Sequence, residues 1–209
     1  MNEHYPFVNP PLPYDFNSLE PYIDTKTMEL HHDRHLQTYV DQLNATLAPY
    51  PQYHFLSLEQ LLLYGSSLPT EIQTKVKNNG GGVFNHIFFF DSLTPTGQSI
   101  AAYPSIGSRM NEYGGYRKFK DDLSAAALSV FGSGYAWLVL DAFSKFKIIT
   151  TPNQDTPLSQ NLYPLLNVDV WEHAYYLKHY NQRAAYLNDW FSVINWKTVA
   201  DRISSMNNY

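Results

Sequence analysis

The chain has no cysteine. It therefore forms no disulfide framework and runs no thiolate chemistry, and any metal it holds must sit on histidine, aspartate or glutamate. Basic residues are scarce too. The 14 Lys+Arg against 19 Asp+Glu leave a formal net charge of -5, the wrong sign for gripping the phosphates of nucleic acid. No run of about 18 apolar residues occurs, which argues against a helical membrane span. The opening stretch, Met1 to Pro13, is polar and proline-rich and lacks the apolar centre of a secretory signal. Cytoplasmic placement is expected, with an exported form that has lost a leader as the alternative. What the chain does have is apolar and aromatic surface. With 44% hydrophobic and 16% aromatic residues over 209 positions, it can bury a core in one large domain or two modest ones.

Residues 1 to 24 read as an extended, proline-rich arm. Thr25 to Leu47 has helical character, with Thr25 or Thr27 as N-cap. His31, His35 and Tyr39 then fall at i, i+4 and i+8 on one stripe, with His32 about 100° away. Ser57 to Tyr64 is a short helix capped by Ser57. Pro69 to Phe90 is a third, interrupted by Gly80-Gly81-Gly82. Each of those glycines costs roughly 1 kcal/mol against alanine in a helix, which predicts that another element approaches closely there. Asp91 to Ile100 is a linker candidate. Met110 to Phe131 is amphipathic and is divided by Gly114-Gly115. Strands are expected at Trp137 to Leu140, Phe146 to Thr150 and about Leu165 to Val170, with a polar loop at 151 to 163. Helical segments follow at Tyr175 to Lys178, Arg183 to Val193 and Trp196 to Met206. The expected class is α+β: an N-terminal helical hairpin domain (residues 1–94) and a C-terminal domain (95–209) with a small three-stranded antiparallel sheet flanked by helices.

Chemistry concentrates in Asp169-Val170-Trp171-Glu172-His173-Ala174-Tyr175-Tyr176. An aspartate and a histidine four residues apart can share one metal ion when further ligands arrive from elsewhere, and His31, His32 and His86 are the candidates. Three histidines with one aspartate suit a redox-active Mn or Fe as well as Zn, and redox work needs a position left open for solvent or substrate. For each residue alone a plainer account exists, such as a hydrogen-bonded core histidine at 86 or a solvated helix face at 31 and 35. Four features together favour a site: Asn85 beside His86 in an apolar helix, the His31/His35/Tyr39 stripe, Gln154 in the loop before the Asp169 strand, and Glu172 between the two paired ligands. Groups of this kind orient ligands and tune bound water.

Taken in order, these motifs resemble the iron/manganese superoxide dismutases over nearly the whole chain. They are Pro11-Leu12-Pro13-Tyr14 with Leu19-Glu20-Pro21, Met28-Glu29-Leu30-His31-His32, Asn78-Asn79-Gly80-Gly81-Gly82 leading to Asn85-His86, Phe131-Gly132-Ser133-Gly134 with Trp137, Asn153-Gln154-Asp155 and the Asp169 to Tyr176 run. The resemblance implies dismutation of superoxide to dioxygen and hydrogen peroxide, an antioxidant activity. It implies one Mn per subunit, or Fe in its place, on His31, His86, Asp169 and His173, with water or hydroxide as fifth ligand. By the same resemblance Tyr39 and His35 are gate residues, and Gln154 hydrogen-bonds the bound solvent. Glycine at 82 with glutamine at 154 resembles the manganese-type arrangement. Glu172 is implied to reach the partner's ligand histidine across a two-fold homodimer or a tetramer, with Phe131 and Tyr175 near that interface.

Phe90 and Tyr135 depart from the family, standing where tryptophan is common. Lys178 and Arg183 are candidates for positive charge at the channel mouth; the alternative for Arg183 is a buried structural partner. The competing functional readings are a non-redox zinc hydrolase on the same four ligands and an inactive structural relative.

Overall fold

The structure is a computed structural model that describes residues 4–206. The ends of the expected arm and tail, residues 1–3 and 207–209, lie outside the described residues. The first helical segment is capped by Asp24, whose side chain accepts from Thr27 N at 2.8 Å; neither Thr25 nor Thr27 is the cap. It runs as α1 (Thr25–Leu30), a π-helical turn (His31–Leu36) and α2 (Gln37–Leu47). Nothing in the residue pattern announces the π turn. Such turns widen the helix locally and are frequent at functional sites, and this one carries His31 and His35.

Helix α3 (Leu58–Leu63) begins at Ser57 with a capping box closed by Gln60. Helix α4 (Thr70–Asp91) packs on α2 and α3, and its glycines meet the expectation of close approach. A Cβ built on Gly81 would collide with the Gln154 carbonyl oxygen, and one on Gly82 would lie 2.5 Å from the Tyr39 ring. At the start of the segment after α4, Leu93 bridges Ile194, and Thr94 N donates to Val193 O at 2.8 Å.

Helix α5 spans Pro104–Tyr113 and α6 spans Tyr116–Ser129. Gly114 and Gly115 turn the chain between them at φ of 117° and 93°, values that favour glycine. The expected start at Met110 is six residues late, because Pro104 opens α5 in the first turn, where its missing N–H costs nothing.

The sheet has order β2-β1-β3, all antiparallel, from β1 (Gly134–Leu140), β2 (Phe146–Pro152) and β3 (Tyr163–Asp169). Every residue of central β1 is buried, so it shows a continuous apolar run rather than alternation. That run and the Gly132-Ser133-Gly134 break hid its first three residues in the sequence. A register shift between Leu138 and Val139 opposes Pro164, which has no N–H to offer a ladder. Helix α6 covers β1 and β2, and α4 touches β3. Short α7 (Tyr176–His179), α8 (Arg183–Trp190) and α9 (Trp196–Met206) complete the chain, α9 packing on β3. Among the described residues no helix is long and apolar enough to cross a membrane.

Candidate metal centre

Four elements deliver four side chains to one point. His31 comes from the π turn, His86 from the interior of α4, Asp169 from the end of β3 and His173 from the 3-10 turn Glu172–Ala174. Their ligand atoms all lie within 4.8 Å of one another. From Asp169 Oδ2 the distances are 3.3 Å to His31 Nε2, 3.5 Å to His173 Nε2 and 3.9 Å to His86 Nε2. These are the spacings of ligands held roughly 2 Å from a common ion. His32, the other candidate in that helix, is turned away: its Nδ1 meets Asp33 and its Nε2 donates to Pro10 O at 2.9 Å.

The protonation states fit a cation. His86 Nδ1 donates to Gly82 O at 2.7 Å, which leaves Nε2 as the bare lone pair aimed inward. Burial pushes the His31 imidazole down to about 4 and His86 well below its usual range, so both are neutral near pH 7. Burial alone would raise the Asp169 carboxyl, but His173 and His31 outweigh it and hold the group well below the carboxylate range. Its other oxygen, Oδ1, accepts from Trp171 N at 2.8 Å. Three imidazole nitrogens thus converge on one ionised carboxylate oxygen. All four atoms are buried, and among the described residues none has a hydrogen-bond partner. A shared cation satisfies all four together.

Around this cluster the other sequence candidates fall into two groups. Tyr39, His35 and Gln154 come together: Gln154 Nε2 donates to Tyr39 Oη at 3.1 Å, and Gln154 Oε1 accepts from Asn85 Nδ2 at 3.0 Å. The His35 ring stacks on His173 with centroids 4.1 Å apart, and the Tyr39 ring lies 5.2 Å from His86. Glu172, Phe131 and Tyr175 do not join the cluster. Glu172 is exposed beside a cavity of about 490 Å³ that it lines with His173, Trp171 and Arg183. Phe131 is fully exposed. Tyr175 is buried behind that surface, stacked on Tyr186; its neighbour Tyr176 is the exposed one.

Of the two candidates for a positive channel mouth, among the described residues Lys178 is paired with a carboxylate and Arg183 is not. Lys178 is bound to Asp189 at 2.8 Å and to the carbonyls of Pro21 and Tyr22. Arg183 donates to the carbonyls of Ala127, Val130 and Gly132 and to the Tyr175 hydroxyl, neutral acceptors that leave its positive charge beside the cavity it lines with Glu172 and His173. One polar support escaped the sequence reading. Asn167 Nδ2 donates to Asn85 O at 3.1 Å, and an asparagine inside the apolar strand Tyr163–Asp169 was the signal for it. Tyr135 is wholly buried opposite Asp169.

The comparisons with known proteins decide the family. The model of the iron/manganese superoxide dismutase alpha-hairpin domain matches residues 6–94, and that of the C-terminal domain matches residues 106–202. The chain belongs to the iron/manganese superoxide dismutases. It is 47% identical over 197 residues to a superoxide dismutase [Mn] of Thermus thermophilus, covering 94% of this chain and 97% of that one. Similarity reaches 45% to superoxide dismutase [Mn] 1 of Leptolyngbya boryana, over 92% and 78% of the two chains. It is again 45% to superoxide dismutase [Mn] 2 of Bacillus anthracis, over 94% of each. As a member of this dismutase family the chain is an oxidoreductase with a three-histidine, one-aspartate metal site.

Proposed function

We propose that this chain disproportionates superoxide with one manganese ion per subunit on His31, His86, Asp169 and His173, with water or hydroxide as fifth ligand. The observation carrying this reading is the convergence of four buried ligand atoms that have no other partner. When bound, the metal supplies one-electron chemistry, so that one superoxide leaves as dioxygen and a second, with two protons, leaves as hydrogen peroxide. Three neutral imidazoles and one carboxylate present a single negative charge, which suits an ion that cycles between two charges. Iron fits the same donors. Manganese is favoured by Gly82, where any side chain would strike Tyr39, and by Gln154 occupying that side of the site from a separate loop.

Gln154 and Tyr39 act as a pair that holds a hydrogen bond at the solvent side, and half-buried Tyr39 and His35 form the gate through which protons and substrate reach the site. Glu172 reaches the ligand histidine of a second copy across a two-fold axis, and exposed Phe131 lies in the same interface, with Tyr175 supporting it from behind. The two units of the subunit divide at 94/95.

The test is to strip the protein, reload it separately with Mn and Fe, and measure superoxide loss at equal occupancy. Activity of the Mn form alone supports the whole reading, whereas activity of both forms removes the part assigned to Gly82 and Gln154. Full occupancy without activity in either form overturns the proposal.

A further inference from the structure

The π turn His31–Leu36 carries the ligand His31 and the gate residue His35, and helical hydrogen bonding alone does not favour it. Passing from α to π spacing takes a carbonyl away from its usual donor, so such a turn persists where outside groups make up the difference. Here the outside group is the N-terminal arm. Asn9 Nδ2 donates to His32 O at 3.1 Å, and Pro10 O accepts from His32 Nε2 at 2.9 Å. Two adjacent arm residues thus grip one residue of the turn, at its backbone and at its ring. Proline at 10 and 11 leaves that part of the arm with no backbone N–H. The donor to the His32 carbonyl therefore comes from a side chain, that of Asn9.

Asparagine carries a cost at this position. Its Oδ1 is buried and, among the described residues, has no hydrogen-bond partner, a penalty that leucine of nearly the same shape would avoid. Turning the amide over would not help, since Oδ1 would then face the His32 carbonyl. What asparagine gains is the bond to the turn. The arm has a separate anchor: Phe7 is buried, its N–H donates to Asn44 Oδ1 and its carbonyl accepts from Asn44 Nδ2, each at 2.8 Å. We propose that Asn9 is a positioning residue for the π turn: its amide holds the His32 carbonyl and so fixes where His31 and His35 stand before any metal binds. The consequence for metal retention rests on the metal-site reading above; the hold on the turn does not.

The experiment uses the full chain, wild type against Asn9→Leu, which deletes both polar atoms, and Asn9→Asp, which keeps the shape but puts a second oxygen in place of the donor. In the metal-free proteins, backbone hydrogen exchange is followed by NMR at residues 35–37, where the turn closes, with Phe7 and residues 43–47 as references. The expected result is exchange faster by roughly threefold to tenfold at 35–37 in both variants, the weight of one hydrogen bond, with the references unchanged. Unchanged exchange at 35–37 overturns the proposal, and so does wild-type exchange in Asn9→Asp, which would show that no donor is needed. Equal acceleration at Phe7 and at 43–47 overturns it as well, because Asn9 would then merely fasten the arm. In the manganese-loaded proteins, release of the ion to EDTA should quicken several-fold in Asn9→Leu; release at the wild-type rate despite a loosened turn overturns the step from the turn to His31. A wild type that shows the exchange pattern and binds manganese but removes no superoxide would refute the dismutase reading and leave the role of Asn9 standing.

Discussion

Three consecutive glycines in α4 should give three different outcomes when each is changed to alanine. All lie inside a helix, where alanine is favoured by about 1 kcal/mol. At Gly80 the new methyl would meet Leu62, Leu58 and Leu43 side chains at 3.4 to 3.8 Å, ordinary van der Waals contact. Gly80→Ala should therefore stabilise by up to about 1 kcal/mol and raise Tm by roughly 2–4 °C for a chain of this size. At Gly81 the methyl strikes the backbone oxygen of Gln154, which can retreat only if the 153–155 loop moves. Overpacking of this kind costs about 1–3 kcal/mol or more, so the net effect is a fall in Tm together with displacement of Gln154 from Asn85 and Tyr39. At Gly82 the methyl lies 2.5 Å from the Tyr39 ring, which must retreat by roughly 1 Å to regain normal contact. The atoms struck, Cγ and both Cδ, are at the root of the ring and cannot simply swing away, so Gly82→Ala should lower Tm, though less than a clash with backbone does, and should break the Gln154–Tyr39 bond and lower activity. The assay is thermal unfolding of the metal-free variants, which keeps metal binding out of the comparison, paired with superoxide loss after reloading. Equal Tm shifts for Gly80→Ala and Gly81→Ala would refute the reasoning.

Other outcomes follow from the same geometry. His86→Ala removes one of four converging ligands and leaves the Asp169 charge less compensated; metal content by elemental analysis should fall steeply and superoxide loss should drop to background. Arg202 donates to Ser92 Oγ, Leu165 O and Phe88 O and lies 3.5 Å over the Phe88 ring, so Arg202→Leu should cost about 3 kcal/mol. Its Tm should drop by roughly 10 °C, with activity per bound metal retained; a loss of activity at full occupancy would contradict a purely structural role. Asp24→Ala deletes the cap of α1 and should cost about 1 kcal/mol, visible as a shift in the denaturant midpoint without a change in slope. Glu172→Ala should move the protein toward monomer in sedimentation at micromolar concentration, and an unchanged sedimentation profile would remove Glu172 from the interface.

Residue types and spacing by themselves determined the α+β class and the elements long enough to show a period; they left His31, His32 and His86 as candidates to join Asp169 and His173, and the choice among them came from the family resemblance. Histidine and aspartate in an apolar setting are costly unless paired, so His86 and Asp169 stand out against their neighbours before any fold is known. The glycine triplet likewise announced a close approach, because nothing local repays its cost. What sequence alone could not settle was decided by contacts between distant segments. The π turn is invisible in a helical pattern, since its distortion answers to packing around His31. The first residues of β1 are hidden because a strand covered on both faces loses its alternation. Lys178 looks like a free charge in sequence, but tertiary structure sets Asp189 and two backbone carbonyls in front of it. Tyr135 shows the limit most clearly. As a letter it is one aromatic exchanged for another, and only strand pairing with Asp169 turns it into a buried hydroxyl beside a metal site.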